Sequence, residues 1–178
     1  MSVSGQRNAA CNIPEHCCTE TLHRVCVGET DMMGVVHHAN YVAYFEKGRL
    51  EYLRRRGLPY KAMVERGYHM PVIELNMRYR KPAHFDDVLS VETRLSALSR
   101  VTARFDYTVR RPHVGAPLEM AEPAPLLVEG YVVLACVDTK SRPRALPADI
   151  VRMLFLPEAS RSDDLLTPGS RAGRADNA

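Results

Sequence analysis

Residues 71–137 contain long stretches in which apolar and polar positions alternate, whereas residues 41–53 repeat apolar groups at helical spacing. Tyr41, Tyr44, Phe45, Tyr52 and Leu53 fall at i, i+3, i+4, i+11 and i+12, a single stripe that predicts a core helix over residues 40–56. Arg54, Arg55 and Arg56 in its last turn, Gly57 just past it and Pro59 beyond are its stop signals. Gly48 interrupts the stripe at a cost of about 1 kcal/mol relative to alanine, which predicts another backbone passing close, as when a helix lies across a sheet.

The period-two segments supply that sheet. Residues 22–27 read as a short first strand, and a second short helix is expected over 60–66, ended by Gly67. Over 71–80, Ile73, Leu75, Met77 and Tyr79 alternate with Glu74, Asn76, Arg78 and Arg80, the pattern of a strand with one buried face. Residues 88–95 and 101–110 repeat the pattern and form a hairpin through 96–100. Residues 111–125, with Pro112, Pro117, Pro123, Pro125 and Gly115, read as a long surface loop. Residues 126–137 are apolar on both faces and predict a central strand covered on both sides. A short edge segment over 142–146 follows, then helical turns opened by Pro147 and carrying Ile150, Val151, Leu154 and Phe155. The periodicity divides the chain into a flexible extension at 1–19, one domain at 20–156 and a disordered tail at 157–178.

Composition narrows the class. The chain has 178 residues, 46% hydrophobic and 25% charged, which suits one core hiding roughly 70% of the unfolded surface. No apolar run approaches the ~18 residues of a membrane span and no apolar leader segment opens the chain, so a cytoplasmic address is expected. A net charge of +3 does not argue for nucleic acid. Five cysteines without C-x-x-C spacing predict neither a disulfide framework nor a zinc site. Cys26 and Cys136 read as small buried groups, and Cys17 and Cys18 as free thiols in a tail. Arg78, Arg80 and Lys81 end a strand, where a basic cluster either binds a phosphorylated small molecule or is solvated surface.

The candidate chemistry lies in residues 30–46, Thr-Asp-Met-Met-Gly-Val-Val-His-His-Ala-Asn-Tyr-Val-Ala-Tyr-Phe-Glu. Asp31 stands in a glycine-containing loop before the core helix, whose first free N–H groups, near His38 to Tyr41, point back towards it. Its carboxylate is either a nucleophile or base, or a turn residue. Gly34 suits a turn that needs positive φ. His37 and His38 are either hydrogen-bonding groups for a substrate or exposed loop residues, Asn40 is a candidate helix cap, and Tyr41 and Phe45 read as core.

The pattern Thr30-Asp31-x-x-Gly34-x-Val36-x-His38-x-Asn40-Tyr41, with Phe45-Glu46 downstream and the strand order above, resembles the hotdog-fold thioesterases of the 4-hydroxybenzoyl-CoA thioesterase family. The likeness is greatest to the short bacterial acyl-CoA thioesterases associated with the Tol-Pal system and runs over about residues 20–155. It implies an α+β hotdog fold, an antiparallel sheet wrapped around one long helix. It further implies acyl-CoA hydrolysis, with Asp31 as the catalytic carboxylate, Gly34 in its turn and the His38 backbone N–H as oxyanion donor. The same resemblance places His37, Tyr41 and Arg100 at the substrate, Arg100 near the phosphates, and gives Glu46 to the loop or a subunit contact. No metal or other cofactor is implied, and the substrate slot lies between the subunits of a homodimer or homotetramer. The competing readings are an acyl carrier protein thioesterase of a biosynthetic pathway and a non-catalytic acyl-binding hotdog protein.

Overall fold

A computed structural model describes residues 13–112 and 124–158. The elements run β1 (Cys18–Arg24), a 3-10 turn (Val27–Glu29), α1 (Asn40–Arg54), α2 (Tyr60–Glu65), β2 (Val72–Tyr79), β3 (Val88–Leu98), β4 (Thr102–Arg110), β5 (Leu126–Ala135) and α3 (Ala148–Leu154). The strands form one antiparallel sheet in the order β1-β3-β4-β5-β2, and α1 packs on β1 and β3.

The predicted stripe is the buried side of α1: Tyr41, Tyr44, Phe45, Gly48, Tyr52 and Leu53. Phe45 stacks on Tyr107 with ring centroids 4.1 Å apart and planes 5° apart, and Tyr52 meets the edge of Phe105. Gly48 is needed because a Cβ there would lie 2.3 Å from Thr93 Oγ1, so the close neighbour is a side chain of β3 rather than a backbone. At the far end of α1, the buried Arg56 guanidinium stacks on Tyr52 at 3.6 Å and donates to Thr19 Oγ1 and the carbonyls of Tyr52, His16 and Cys18. This pins the segment entering β1.

The first strand therefore begins at Cys18, four residues before the expected Leu22, and ends at Arg24. Its inner positions include the buried Thr19, a polar residue that hides the strand from a hydrophobic scan. Cys17 is a core group whose carbonyl accepts the Leu95 N–H, rather than a tail thiol, while Cys26 is exposed in the turn rather than buried. Residues 1–12, 113–123 and 159–178, which hold most of both expected tails and of the proline-rich loop, lie outside the described residues.

Two strand expectations change. β4 is the central strand and β5 lies one place from the edge. β2 is the edge itself, and none of its residues is buried: Ile73 is 58% exposed, Leu75 40% and Tyr79 51%. The physical reason is coverage. Among the described residues α1 packs on β1 and β3 and reaches β4 through Phe45 and Tyr52, while Leu134 of β5 faces the cavity between α1, α2 and α3, so the edge strand β2 is the one left exposed. The expected edge segment forms no named strand but pairs beside the end of β5 through an antiparallel bridge between Pro143 and Val137, with Arg144 N–H bonded to Cys136 O and Leu146 N–H to Arg100 O. No helix among the described residues is long and apolar enough to cross a membrane.

Candidate active site

The loop between the 3-10 turn and α1 is fixed by its own backbone. Asp31 N–H donates to Val35 O at 2.9 Å, Gly34 N–H returns to Asp31 O at 2.9 Å, and buried Val36 ties the loop to Ala83 O at 2.8 Å. Gly34 has the positive φ expected of it, 74°. A Cβ there would meet nothing within 4 Å, so the constraint is the backbone angle alone. Asp31 takes the turn role, one of the two left open by its sequence. One carboxylate oxygen, Oδ1, accepts the Met33 N–H at 2.8 Å and closes the turn. The other, Oδ2, has no partner among the described residues.

The entrance of α1 uses up most of its donors. His37 N–H bonds Glu29 O at 2.9 Å, Ala39 N–H bonds His37 Nδ1 at 3.3 Å, and Asn40 N–H bonds His37 O at 2.9 Å. The His38 N–H is left without a partner among the described residues. Asn40 is not the cap: Ala39 holds that position without a side-chain bond, and Asn40 Nδ2 reaches back to Glu29 O at 2.7 Å. The helix dipole adds partial positive charge at this entrance.

Asp31, His38, Tyr41, Tyr79, Arg80 and Lys81 line one open cleft. The Tyr79 hydroxyl donates to His38 O at 3.2 Å, and its ring meets Tyr41 edge-on at 5.7 Å. Tyr79 belongs to the site although its sequence signal was only that of a strand residue; its place shows once β2 ends beside the loop. Burial pushes the Tyr41 phenol above its usual pKa, the charge of Tyr79 adding to the effect and the Ala83 N–H opposing it. Arg80 is paired with Glu129, whereas Lys81 has no ion pair among the described residues. A separate cavity between α1, α2 and α3, around Leu53, Met63 and Ile150, is apolar and lacks the carboxylate.

The remaining candidates divide. The His37 and His38 rings are exposed, with centroids 4.2 Å apart, and neither bonds Asp31. Glu46 is exposed and makes no hydrogen bond or ion pair among the described residues, so no contact supports a role in holding the loop. Arg100 is not brought to the cleft. It lies in the β3–β4 turn beside Thr102, which pairs with Ala135, whereas the cleft sits where Tyr79 pairs with Val128 and Val128 with Val109. Seven strand residues separate the two ends, on the order of 25 Å.

A five-stranded antiparallel sheet with one long helix across it and a carboxylate loop at the helix entrance defines a hotdog-fold protein. The 4-hydroxybenzoyl CoA thioesterase of Pseudomonas sp. strain CBS-3 shares the fold, with a TM-score of 0.66 at 24% identity over 76% of this chain and 98% of that one. A hypothetical protein of Thermus thermophilus matches with a TM-score of 0.67 at 38% identity, over 80% of this chain and 98% of that one. The sequence profile of the thioesterase superfamily matches residues 33–116. The acyl-CoA thioester hydrolase YbgC of Shigella flexneri is 34% identical over 129 residues, 72% of this chain and 89% of that protein. This chain belongs to the thioesterase superfamily.

Proposed function

We propose that this chain hydrolyses the thioester of an acyl-CoA to the free acid and CoA. Asp31 acts as nucleophile or general base and the His38 N–H receives the oxyanion. The observation that carries this reading is the cleft lined by Asp31 and His38, where a carboxylate oxygen and a backbone N–H both lack partners among the described residues. As nucleophile, Asp31 Oδ2 attacks the carbonyl carbon, the developing oxyanion takes the His38 N–H, and the C–S bond breaks to give an anhydride and the thiolate. Water then opens the anhydride. As general base, the same oxygen removes a proton from the attacking water.

Gly34 lets the loop turn with Oδ1 engaged and Oδ2 free. Tyr41 and Tyr79 form an aromatic wall for the substrate chain, and the exposed His37 ring, which does not line the cleft, rests against that of His38. Lys81 is a cation available to the phosphates of CoA. Arg100 is too distant to reach the same thioester from its own chain. The exposed apolar edge β2 supports a homodimer, itself able to pair into a tetramer.

The test is thiol release by the purified protein over a panel of aromatic, short-chain and long-chain acyl-CoAs, beside the same acyl groups on acyl carrier protein. Turnover of at least one CoA ester is expected. Turnover on the carrier protein alone shifts the substrate to that class, and no turnover of any thioester sinks the reading.

A further inference from the structure

Glu29 stands two residues before Asp31 and is bonded through both its main chain and its side chain. Its carbonyl accepts two donors from the entrance of α1, the His37 N–H at 2.9 Å and Asn40 Nδ2 at 2.7 Å. Its carboxylate accepts the Cys26 N–H at 2.7 Å and lies 2.9 and 3.1 Å from His23 Nε2. The His23 ring, carried by β1, rests against Tyr44 of α1 with centroids 4.4 Å apart. The His23 and Glu29 side chains are 17% and 19% exposed, so these bonds face little competition from water.

These contacts join four pieces at one residue: β1 through His23, the 3-10 turn through Cys26, the loop through the chain itself, and α1 through His37 and Asn40. Without the carboxylate, the turn keeps the Glu29 N–H to Cys26 O bond at 3.0 Å and the bonds of Thr30 to Val27 O, through its N–H at 3.2 Å and its hydroxyl at 2.8 Å. The carbonyl that sets the helix entrance then loses the anchor that ties its residue to β1 and to Cys26.

We infer that Glu29 is a positioning residue for thioester hydrolysis: its anchored carboxylate fixes its carbonyl, and the carbonyl, through His37 and Asn40, aims the intervening His38 N–H at the oxyanion next to Asp31. The inference rests on the function proposed above. Glu29 touches no reacting atom. Its contribution is to the placement of a donor whose loss costs about 10²-fold to 10³-fold in rate, and for which displacement by about 1 Å is already expensive.

The experiment measures kcat, KM and Tm of the full chain with one acyl-CoA that the wild type turns over. The variants are Glu29→Ala, Glu29→Gln, Asn40→Asp, the double Glu29→Ala/Asn40→Asp and Asp31→Asn. Tyr52→Phe is the control; it removes a buried hydrogen bond to Leu154 O at 2.7 Å, at the other end of α1. Glu29→Ala and Asn40→Asp are expected to lower kcat by about 10-fold to about 100-fold with KM within about twofold. Glu29→Gln, which keeps an acceptor for the Cys26 N–H, is expected to recover much of the loss, and the double variant to lose less than the product of the two single losses. Tyr52→Phe is expected to lower Tm with kcat retained.

Wild-type kcat in Glu29→Ala overturns the inference, as does a loss no greater than that of Tyr52→Phe at an equal fall in Tm, or a fully multiplicative double variant. If Glu29→Ala does not fold, Asn40→Asp decides alone, and unchanged kcat there overturns it. Full turnover in Asp31→Asn instead defeats the proposed function, whatever Glu29 does.

Discussion

Gly34 and Glu29 show how single residues shape the loop around Asp31. At φ 74° any side chain at position 34 strains the backbone, although the space beside it is open. Gly34→Ala is therefore expected to cost about 1–2 kcal/mol by denaturant unfolding, and Gly34→Asn less, because asparagine tolerates the left-handed region. A Gly34→Ala variant as stable as wild type contradicts that reading. Glu29 gives a pH dependence. Burial opposes its ionisation, but the Cys26 N–H and the His23 imidazole outweigh burial and hold the folded carboxyl below its ordinary 4.5. A depressed carboxyl contributes stability that is fully present above the unfolded value and is lost as pH falls through the folded value. The acid limb of Tm against pH, below about 4.5, is thus expected to be shallower in Glu29→Gln; identical limbs contradict the assignment.

Among the elements, α1 and β3 meet where Gly48 faces Thr93. Alanine normally favours a helix by about 1 kcal/mol over glycine, yet a Cβ at 2.3 Å from Thr93 Oγ1 forces packing apart. Gly48→Ala is expected to destabilise by about 1–3 kcal/mol, and adding Thr93→Ala to restore part of that. Thermal melts of the single and double variants check both signs. The stripe of α1 was legible in the sequence because the chain itself buries it. The apolar face of β2 was legible too, but its exposure was not, since nothing in a period-two pattern says which element covers a strand. β1 was displaced by four residues because Thr19 hides a buried position behind a polar name. At the candidate site, Asp31 and Gly34 were readable from one short loop, whereas the contacts of Glu29 with Cys26, His23, His37 and Asn40 and of Tyr79 with His38 span 3 to 41 residues of chain, and the longer ones are encoded by no local pattern.

At the scale of the whole molecule, the sheet ends among the described residues in the exposed apolar edge strand β2, with the cleft at its Tyr79 end. In the proposed dimer, a second copy over this region covers the exposed Ile73 and Leu75 and meets the cleft wall formed by Tyr79. Leu75→Lys is expected to shift the protein towards monomer in light scattering and to lower turnover with it. A monomeric wild type, or a monomeric variant with full activity, contradicts that arrangement. The proposed chemistry itself depends least on such assembly and most on one carboxylate. The most direct measurement is kcat for thiol release by Asp31→Asn beside wild type, with matched circular dichroism and oligomeric state. A fall of about three orders of magnitude or more is expected; turnover within about threefold of wild type contradicts the account.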